Sequence, residues 1–338
     1  RYKRANYRGP TCHHGYFPMN ERLGLRPGQL SAELESLLGM TGAMVPFEKG
    51  SELFERLTLV SSSPQSMDKA TEAMGEEVIR VEKEWIAESQ DANIVNAQER
   101  AGKDGRRLYG TLDAVKVHCR EHRSEDDDGW RDLKVGAWFL TDNQPPETPE
   151  DDWDIQAHDI TYYCDFAEAS VFGELLWATG CQRQALRASE LIFLGDGADW
   201  IWNLVAEHFP HAIQIVDWFH ASEHLAVVAK AAFQEESEQK SWLGQVRSLL
   251  WDGRVAEVIQ EFEGLIKRGK AAEEARKAVK YFSTHQPRMD YAAFRAKGYQ
   301  IGSGTVESAC KQLGIERMKL PGAIWSLTGA RQTAKARA

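Results

Sequence analysis

The chain has 338 residues, 42% of them hydrophobic, and a formal net charge of −10. That length suits about two domains, no apolar run reaches the roughly 18 residues of a membrane helix, and an acidic balance runs against a general polyanion binder, since neutralising phosphates takes Lys and Arg. Five dispersed cysteines (Cys12, Cys119, Cys164, Cys181 and Cys310) exclude a disulfide framework and point to a reducing compartment.

Residues 1–30 read as an irregular basic segment. Gly9-Pro10, Phe17-Pro18 and Arg26-Pro27 mark turns, and Arg1, Lys3, Arg4, Arg8, Arg22 and Arg26 are balanced only by Glu21. The chain starts at Arg and stops inside a Lys/Arg/Ala-rich stretch, which suggests a fragment or a processed product. Residues 31–104 turn helical. Ser31 is suited to cap a helix in which Leu34, Leu37 and Leu38 recur at helical spacing. A second helix is predicted over 47–59, a break at Ser61-Ser62-Ser63-Pro64, and a longer amphipathic helix over 65–87. Short helices joined by tight breaks fit a helix-turn-helix DNA reader and fit a plain helical packing module equally well.

Near residue 107 the period changes to that of strands. Strands are predicted over 108–119, 133–140 and 160–166, with an acidic turn between the first two. The acidic runs at 125–128 and 147–154 read as solvated loops. A helix over 169–181 leads to a strand at 191–194, a helix at 199–209 and a strand at 212–216. Three meandering strands followed by alternating helix and strand predict a mixed α/β sheet covered by helices, with residues 105–225 as its core. Residues 226–296 read as an all-α insertion, with Trp242, Leu249, Leu250, Val258, Phe262 and Ile266 at helical intervals. Residues 297–338 bring the Gly302-Ser303-Gly304 break, a helix carrying Glu307, and a basic end in which Lys311, Arg317 and Lys319 are the expected contacts to a polyanion.

Four acidic residues stand out against this frame. Asp113 lies inside a strand, where Asp is depleted; it is either solvent-facing or needs a charged partner or a metal. Asp196 sits between two glycines at a strand end, a place that also suits a turn or a helix cap. Asp217 ends the next strand, with His220 three residues on and His224 one helical turn beyond that. Glu307 opens a helix, where an acidic residue also suits the dipole. Ligands gather at the carboxyl ends of strands in open α/β sheets, and carboxylates there suit hard divalent cations. There is no phosphate-binding Gly-x-x-x-x-Gly-Lys-Ser/Thr loop and no Gly-x-Ser-x-Gly nucleophile elbow.

Three motifs together carry a family resemblance. Gly195-Asp196-Gly197-Ala198-x-Trp200-Ile201, Val216-Asp217-Trp218-x-His220-Ala221-x-Glu223-His224-Leu225 and Gly302-Ser303-Gly304-x-Val306-Glu307-Ser308 resemble the ISKra-type insertion-sequence transposases, bacterial members of the DDE superfamily. The resemblance runs from about Tyr7 to the end. It implies an RNase H-like catalytic domain in which the first and fourth strands are neighbours. It further implies Asp113, Asp196 and Glu307 as the acidic triad holding two Mg²⁺ or Mn²⁺ ions, with Asp217 and His220 as auxiliary active-site residues. Ala114 stands where the family usually has Gly, and Lys134 fits the family's second strand. The implied partners are double-stranded DNA, as transposon ends and target, and a second copy of the chain; the implied setting is the bacterial cytoplasm at the nucleoid. The segment Tyr7-Arg8-Gly9-Pro10-Thr11-Cys12 resembles a degenerate zinc ribbon, with Gly9 in place of the first Cys of a Cys-x-x-Cys pair. One thiolate cannot close a tetrahedral site, so zinc is not expected, with His13 and His14 the nearest substitutes. A zinc-binding pair at His220 and His224 is the sharper alternative to ordinary helix histidines. Two other functions stay open on the sequence: a catalytically inactive transposase-derived DNA-binding or assembly protein, and an RNase H-like nuclease that only hydrolyses.

Overall fold

Ser31 accepts a hydrogen bond from the Leu34 N–H at 3.3 Å and so starts helix α1 (Ala32–Met44), as its side chain predicts. The structure is a computed structural model and describes residues 7–8, 15–16, 31–121, 124, 127–142, 144–148, 156–269, 271–302 and 304–338. In the basic segment, strands β1 (Tyr7–Arg8) and β2 (Gly15–Tyr16) pair antiparallel. Cys12, Gly9, His13 and His14 of the degenerate zinc ribbon lie outside the described residues. The chain divides into two compact units, Arg1–Val81 with His118–Gly129 and Glu316–Ala338, and Glu82–Val117 with Trp130–Ile315.

In the first unit, α1 is followed by α2 (Phe47–Thr58), which ends at Leu59 in the left-handed conformation with φ 60. Helix α3 (Pro64–Ser89) begins inside the expected break: the Ser66 N–H donates to Ser63 Oγ at 3.1 Å, and Pro64 takes the first helical position, where its missing N–H costs nothing. Leu38, Phe54, Met67 and Ala70 make a small core under these helices. The C-terminal stretch packs into the same unit. There the structure corrects the assignment of Arg317 as a DNA contact. Arg317 is 2% exposed; Nε and Nη2 both donate to the Gly42 carbonyl at 3.0 Å, and its guanidinium lies 4.5 Å from the Phe47 ring and 5.0 Å from that of Trp325. Burial, with Arg337 nearby, brings its pKa down to about 10. A side chain used in this way is not available to phosphate.

The second unit holds the sheet. Strands β3 (Arg107–His118), β4 (Trp130–Thr141), β5 (Ala157–Asp165), β6 (Glu190–Gly195) and β7 (Ile213–Val216) lie in the order β5-β4-β3-β6-β7. β4 and β5 are antiparallel, whereas β3, β6 and β7 run parallel to one another. This is the mixed α/β sheet that the element order predicts. The run Ile192-Phe193-Leu194 is fully buried, as a strand flanked by parallel neighbours and covered on both faces must be. On β4, Trp138 meets Phe193 and Phe209 edge-on at 5.3 and 5.6 Å and donates to the Thr179 hydroxyl at 3.0 Å. Thr179 lies on α5 (Ala169–Gln182), and α6 (Asp199–His208) links β6 to β7.

Helix α4 (Ala92–Arg100) precedes the sheet in the chain, and α7 (Trp218–Ala232) follows β7. The expected all-α stretch consists of the end of α7, α8 (Glu236–Trp251), α9 (Val255–Lys267), α10 (Ala272–His285) and α11 (Tyr291–Ala296), packed around Trp242, Val246, Leu250, Phe262 and Phe282. Helix α12 (Gly304–Ala309) carries Glu307 and runs into a π-helical turn, Cys310–Ile315. No helix among the described residues is long and apolar enough to cross a membrane. The four described cysteines, Cys119, Cys164, Cys181 and Cys310, are buried free thiols.

Gly136 of β4 faces Tyr163 of β5 in register, and a Cβ there would lie 2.1 Å from the Tyr163 ring. Gly136→Ala is therefore expected to lower the melting transition, by roughly 1–3 kcal/mol of overpacking. Differential scanning calorimetry checks this, and an unchanged transition contradicts the close packing of β4 on β5.

Candidate metal centre

Register places the acidic residues. β3 pairs with β6 up to Thr111 with Leu194, and two residues further on the same register sets Asp113 beside Asp196. β6 pairs with β7 up to Gly195 with Val216, and one residue further on sets Asp196 beside Asp217. The register thus sets Asp113, inside β3, in one row with Asp196 and Asp217, which directly follow the carboxyl ends of the neighbouring parallel strands β6 and β7. The Asp217 N–H donates to the Gly195 carbonyl at 2.8 Å, the last main-chain bond between β6 and its neighbour. Local hydrogen bonds orient each carboxylate. Asp113 Oδ1 accepts from the Ala114 N–H at 2.6 Å, and Asp196 Oδ1 from Ala198 N–H at 2.8 Å. Asp217 Oδ1 accepts from the His220 N–H at 2.9 Å and so caps α7.

Glu307 reaches this row from a different part of the chain. The Trp218 N–H donates to the Ile301 carbonyl at 2.8 Å, and the Gln300 N–H donates to the Tyr109 hydroxyl at 3.2 Å. These bonds dock the segment before α12 on the sheet. Cys310, one turn after Glu307, is hydrogen-bonded to Asp113. Ligand atoms of Asp217, His220 and Glu307 all lie within 4.8 Å of one another, close enough to hold one metal ion. Asp113 and Asp196 are outside that tight group and flank it along the row.

The electrostatics follow from crowding. Burial raises the pKa of Asp113, and the Asp196 charge adds to it. Burial also raises Glu307, with Asp217, Asp113 and Glu223 pushing the same way and His220 opposing. Asp217 is completely buried. Burial and the adjacent Asp113 push the Cys310 thiol far up, so it stays protonated and acts as a donor. His220 Nδ1 stands 3.6 Å from Glu223, and His224 stacks on Tyr281 with ring centroids 3.9 Å apart. Burial, with His220 next, lowers the His224 pKa.

Lys134, Lys311 and Lys319 are the remaining sequence candidates. Lys134 Nζ donates to the Ala167 carbonyl at 2.7 Å and lies 5.8 Å from the Trp200 ring centroid. Lys311 and Lys319 are exposed. A groove of about 520 Å³ opens beside Glu307, lined by Ile160, Tyr162, Phe219, Thr305 and Ser308 among others. A larger cavity, about 640 Å³, lies between Leu191, Ala212, Trp177 and His208; among the described residues Glu99 is its only acidic lining group. Sequence reasoning misses Cys310, which stands in the sequence only as one of five scattered cysteines. It also misses Tyr281 and Tyr291, whose hydroxyls donate to the carbonyls of Asp196 and Val216. Cys310 carries one usable signal, its place one turn after Glu307; the two tyrosines carry none, because they come from the insertion.

Neither a protein-family model nor a curated protein matches this chain. Among solved structures, it is similar to the Drosophila P element transposase strand transfer complex, with a TM-score of 0.35 and 8% identity over 94% of this chain and 93% of that one. At that level the likeness establishes neither a shared family nor a shared chemistry.

Crowded carboxylates give the metal-free protein a definite pH response. The Glu307 pKa is higher in the folded than in the unfolded chain, so stability is gained as pH falls through the raised value and lost as pH rises. Glu307→Gln removes one of the mutually repelling charges. At pH 7.5 in EDTA it is expected to melt slightly above the parent, by about 0.5 kcal/mol, because Glu307 is only partly shielded and solvent screens much of the repulsion. The advantage shrinks toward pH 4, and Mn²⁺ reverses the order. Calorimetry over pH 4–8 tests this; a variant that melts below the parent at pH 7.5 in EDTA contradicts the repulsion.

Proposed function

We propose that this chain is a DDE-type DNA transposase with an RNase H-like catalytic core, working on phosphodiesters at transposon ends. The observation that carries the reading is the row of Asp113 inside β3 and Asp196 and Asp217 at the ends of β6 and β7, with Glu307 brought close to Asp217. The sheet order β5-β4-β3-β6-β7 and the three resembling motifs support it.

The residues fit divalent cations. Asp217, His220 and Glu307 supply oxygen and imidazole donors within 4.8 Å of one another, a set suited to Mg²⁺ or Mn²⁺. Burial and like charge raise Asp113 and Glu307, and a cation relieves both effects. Asp113, Asp196 and Glu307 would hold two ions, with Asp217 completing the set. When bound, such a pair stabilises the attacking and leaving oxygens of an in-line phosphoryl displacement.

The protein's own groups do the rest. The Cys310 thiol and the Ala114 N–H orient Asp113. Asp217 caps α7 and thereby fixes where His220 stands, next to the position of the scissile phosphate. The groove lined by Tyr162, Phe219, Thr305 and Ser308, two of them on the helix that carries Glu307, is the proposed path for a DNA strand. Water attacks phosphorus at the element end and releases a 3′-hydroxyl; that hydroxyl then attacks phosphorus in the target, displacing the target's own 3′-oxygen. Pairing two ends calls for a second copy of the chain, and Lys311 and Lys319 are the proposed phosphate contacts.

The test is a strand-transfer assay with Mn²⁺ on duplex DNA taken from either side of the protein's own coding sequence. Asp196→Asn and Glu307→Gln are each expected to lower joining by a thousandfold or more, the scale of several kcal/mol of lost charge stabilisation. Unchanged activity in Asp196→Asn overturns the assignment. Cleaved but never joined DNA would point to a hydrolase. No heat on titration with Mn²⁺ would point to a non-catalytic DNA-binding protein.

A further inference from the structure

Among the described residues, two tyrosine hydroxyls of the helical insertion reach the aspartate row. Tyr281 of α10 donates to the Asp196 carbonyl oxygen at 2.7 Å. Tyr291, at the start of α11, donates to the Val216 carbonyl oxygen at 3.0 Å, one residue before Asp217. These carbonyls lie where β6 and β7 run out of ladder, so neighbouring strands offer them little.

Both rings are fixed by packing. Tyr281 stacks on His224 at 3.9 Å and meets His285 edge-on at 4.8 Å. Tyr291 is fully buried and stands at 89° to Trp218 with centroids 5.2 Å apart. The backbone next to Asp196 is shaped to this ring. Gly197 has φ +101, open to glycine and strained for other residues, and a Cβ there would sit 2.6 Å from the Tyr281 ring.

We infer that the insertion is a positioning device for the metal centre: Tyr281 and Tyr291 are positioning residues that hold the strand-end backbone from which Asp196 and Asp217 project. The inference rests on the reading of that edge as a metal centre. A ligand's supporting hydrogen bonds set its geometry, and losing one typically weakens metal binding by 10–100-fold. The plainer account is that a buried tyrosine needs some acceptor. Tyr299 separates the two, because its hydroxyl donates to Glu190 at 2.6 Å at the far end of β6.

The experiment compares the full chain with Tyr281→Phe, Tyr291→Phe and Tyr299→Phe, each of which keeps the ring. Mn²⁺ affinity is read by calorimetry, and amide exchange in residues 195–199 and 216–221 by mass spectrometry without metal. Tyr281→Phe and Tyr291→Phe are each expected to bind Mn²⁺ about tenfold more weakly, with faster exchange in the segment whose carbonyl is released. Tyr299→Phe is expected to leave both unchanged, whatever it does to the melting temperature. Mn²⁺ affinities within twofold of the parent overturn the inference, as does an equal loss in Tyr299→Phe. If the parent takes up no Mn²⁺, the metal-centre reading fails by itself. Exchange then decides whether the tyrosines hold the strand ends: unchanged rates overturn that, and faster rates support it.

Discussion

Like charges held side by side on neighbouring parallel strands raise the free energy of the folded chain unless a proton or a cation offsets them. In this protein the placement is dictated by register. Once β3, β6 and β7 pair as they do, the register sets Asp113, Asp196 and Asp217 in one row on neighbouring strands. The surrounding structure works against that repulsion. Main-chain N–H groups of Ala114, Ala198 and His220 each donate to one of the three carboxylates, and the Cys310 thiol adds a further bond to Asp113.

On Asp113 these bonds stabilise the charged form only in part, as its raised pKa indicates, and the Glu307 pKa is raised as well. Burial contributes most to both shifts. An edge that is dry enough to raise a carboxyl pKa, yet keeps its carboxylates together, fits a place meant for a hard cation better than one meant for folding alone. The same chain elsewhere uses carboxylates in the ordinary structural way. Asp104 and Asp159 pair with Arg106 and Arg183, and those partners hold them below the usual carboxylate range.

Much of the fold was legible because it rests on local pattern. The change from helical to alternating periodicity near residue 107, the buried run before Asp196 and the cap at Ser31 each arise from contacts a few residues apart. The acidic residues were legible one by one, since Asp inside or at the end of a strand is uncommon, and their convergence was visible only through motif resemblance. What the sequence did not show depends on contacts across long stretches of chain. Arg317 looked like part of a basic face because nothing near it in sequence announces the Gly42 carbonyl that takes it up. Tyr281 and Tyr291 drew no notice in the sequence for the same reason: the carbonyls they reach lie far away along the chain.

The loss of Arg317 from the exposed basic set bears on how an acidic protein would handle DNA. Arg337 is similarly committed, donating to the carbonyls of Ala43 and Met44. On the proposed function, phosphate cannot approach the aspartate row while its charges are uncompensated, because the net charge of −10 repels it at long range and the carboxylates repel it at short range. Cations must therefore enter before DNA. Affinity for duplex should then depend steeply on divalent cation and only weakly on NaCl, since the salt slope counts Lys and Arg contacts to phosphate and Lys311 and Lys319 are the two proposed. Fluorescence anisotropy of a labelled duplex, titrated at several NaCl concentrations with and without Ca²⁺, measures both dependences. A steep NaCl slope without divalent cation would instead place the main DNA contact on a basic surface away from the carboxylates.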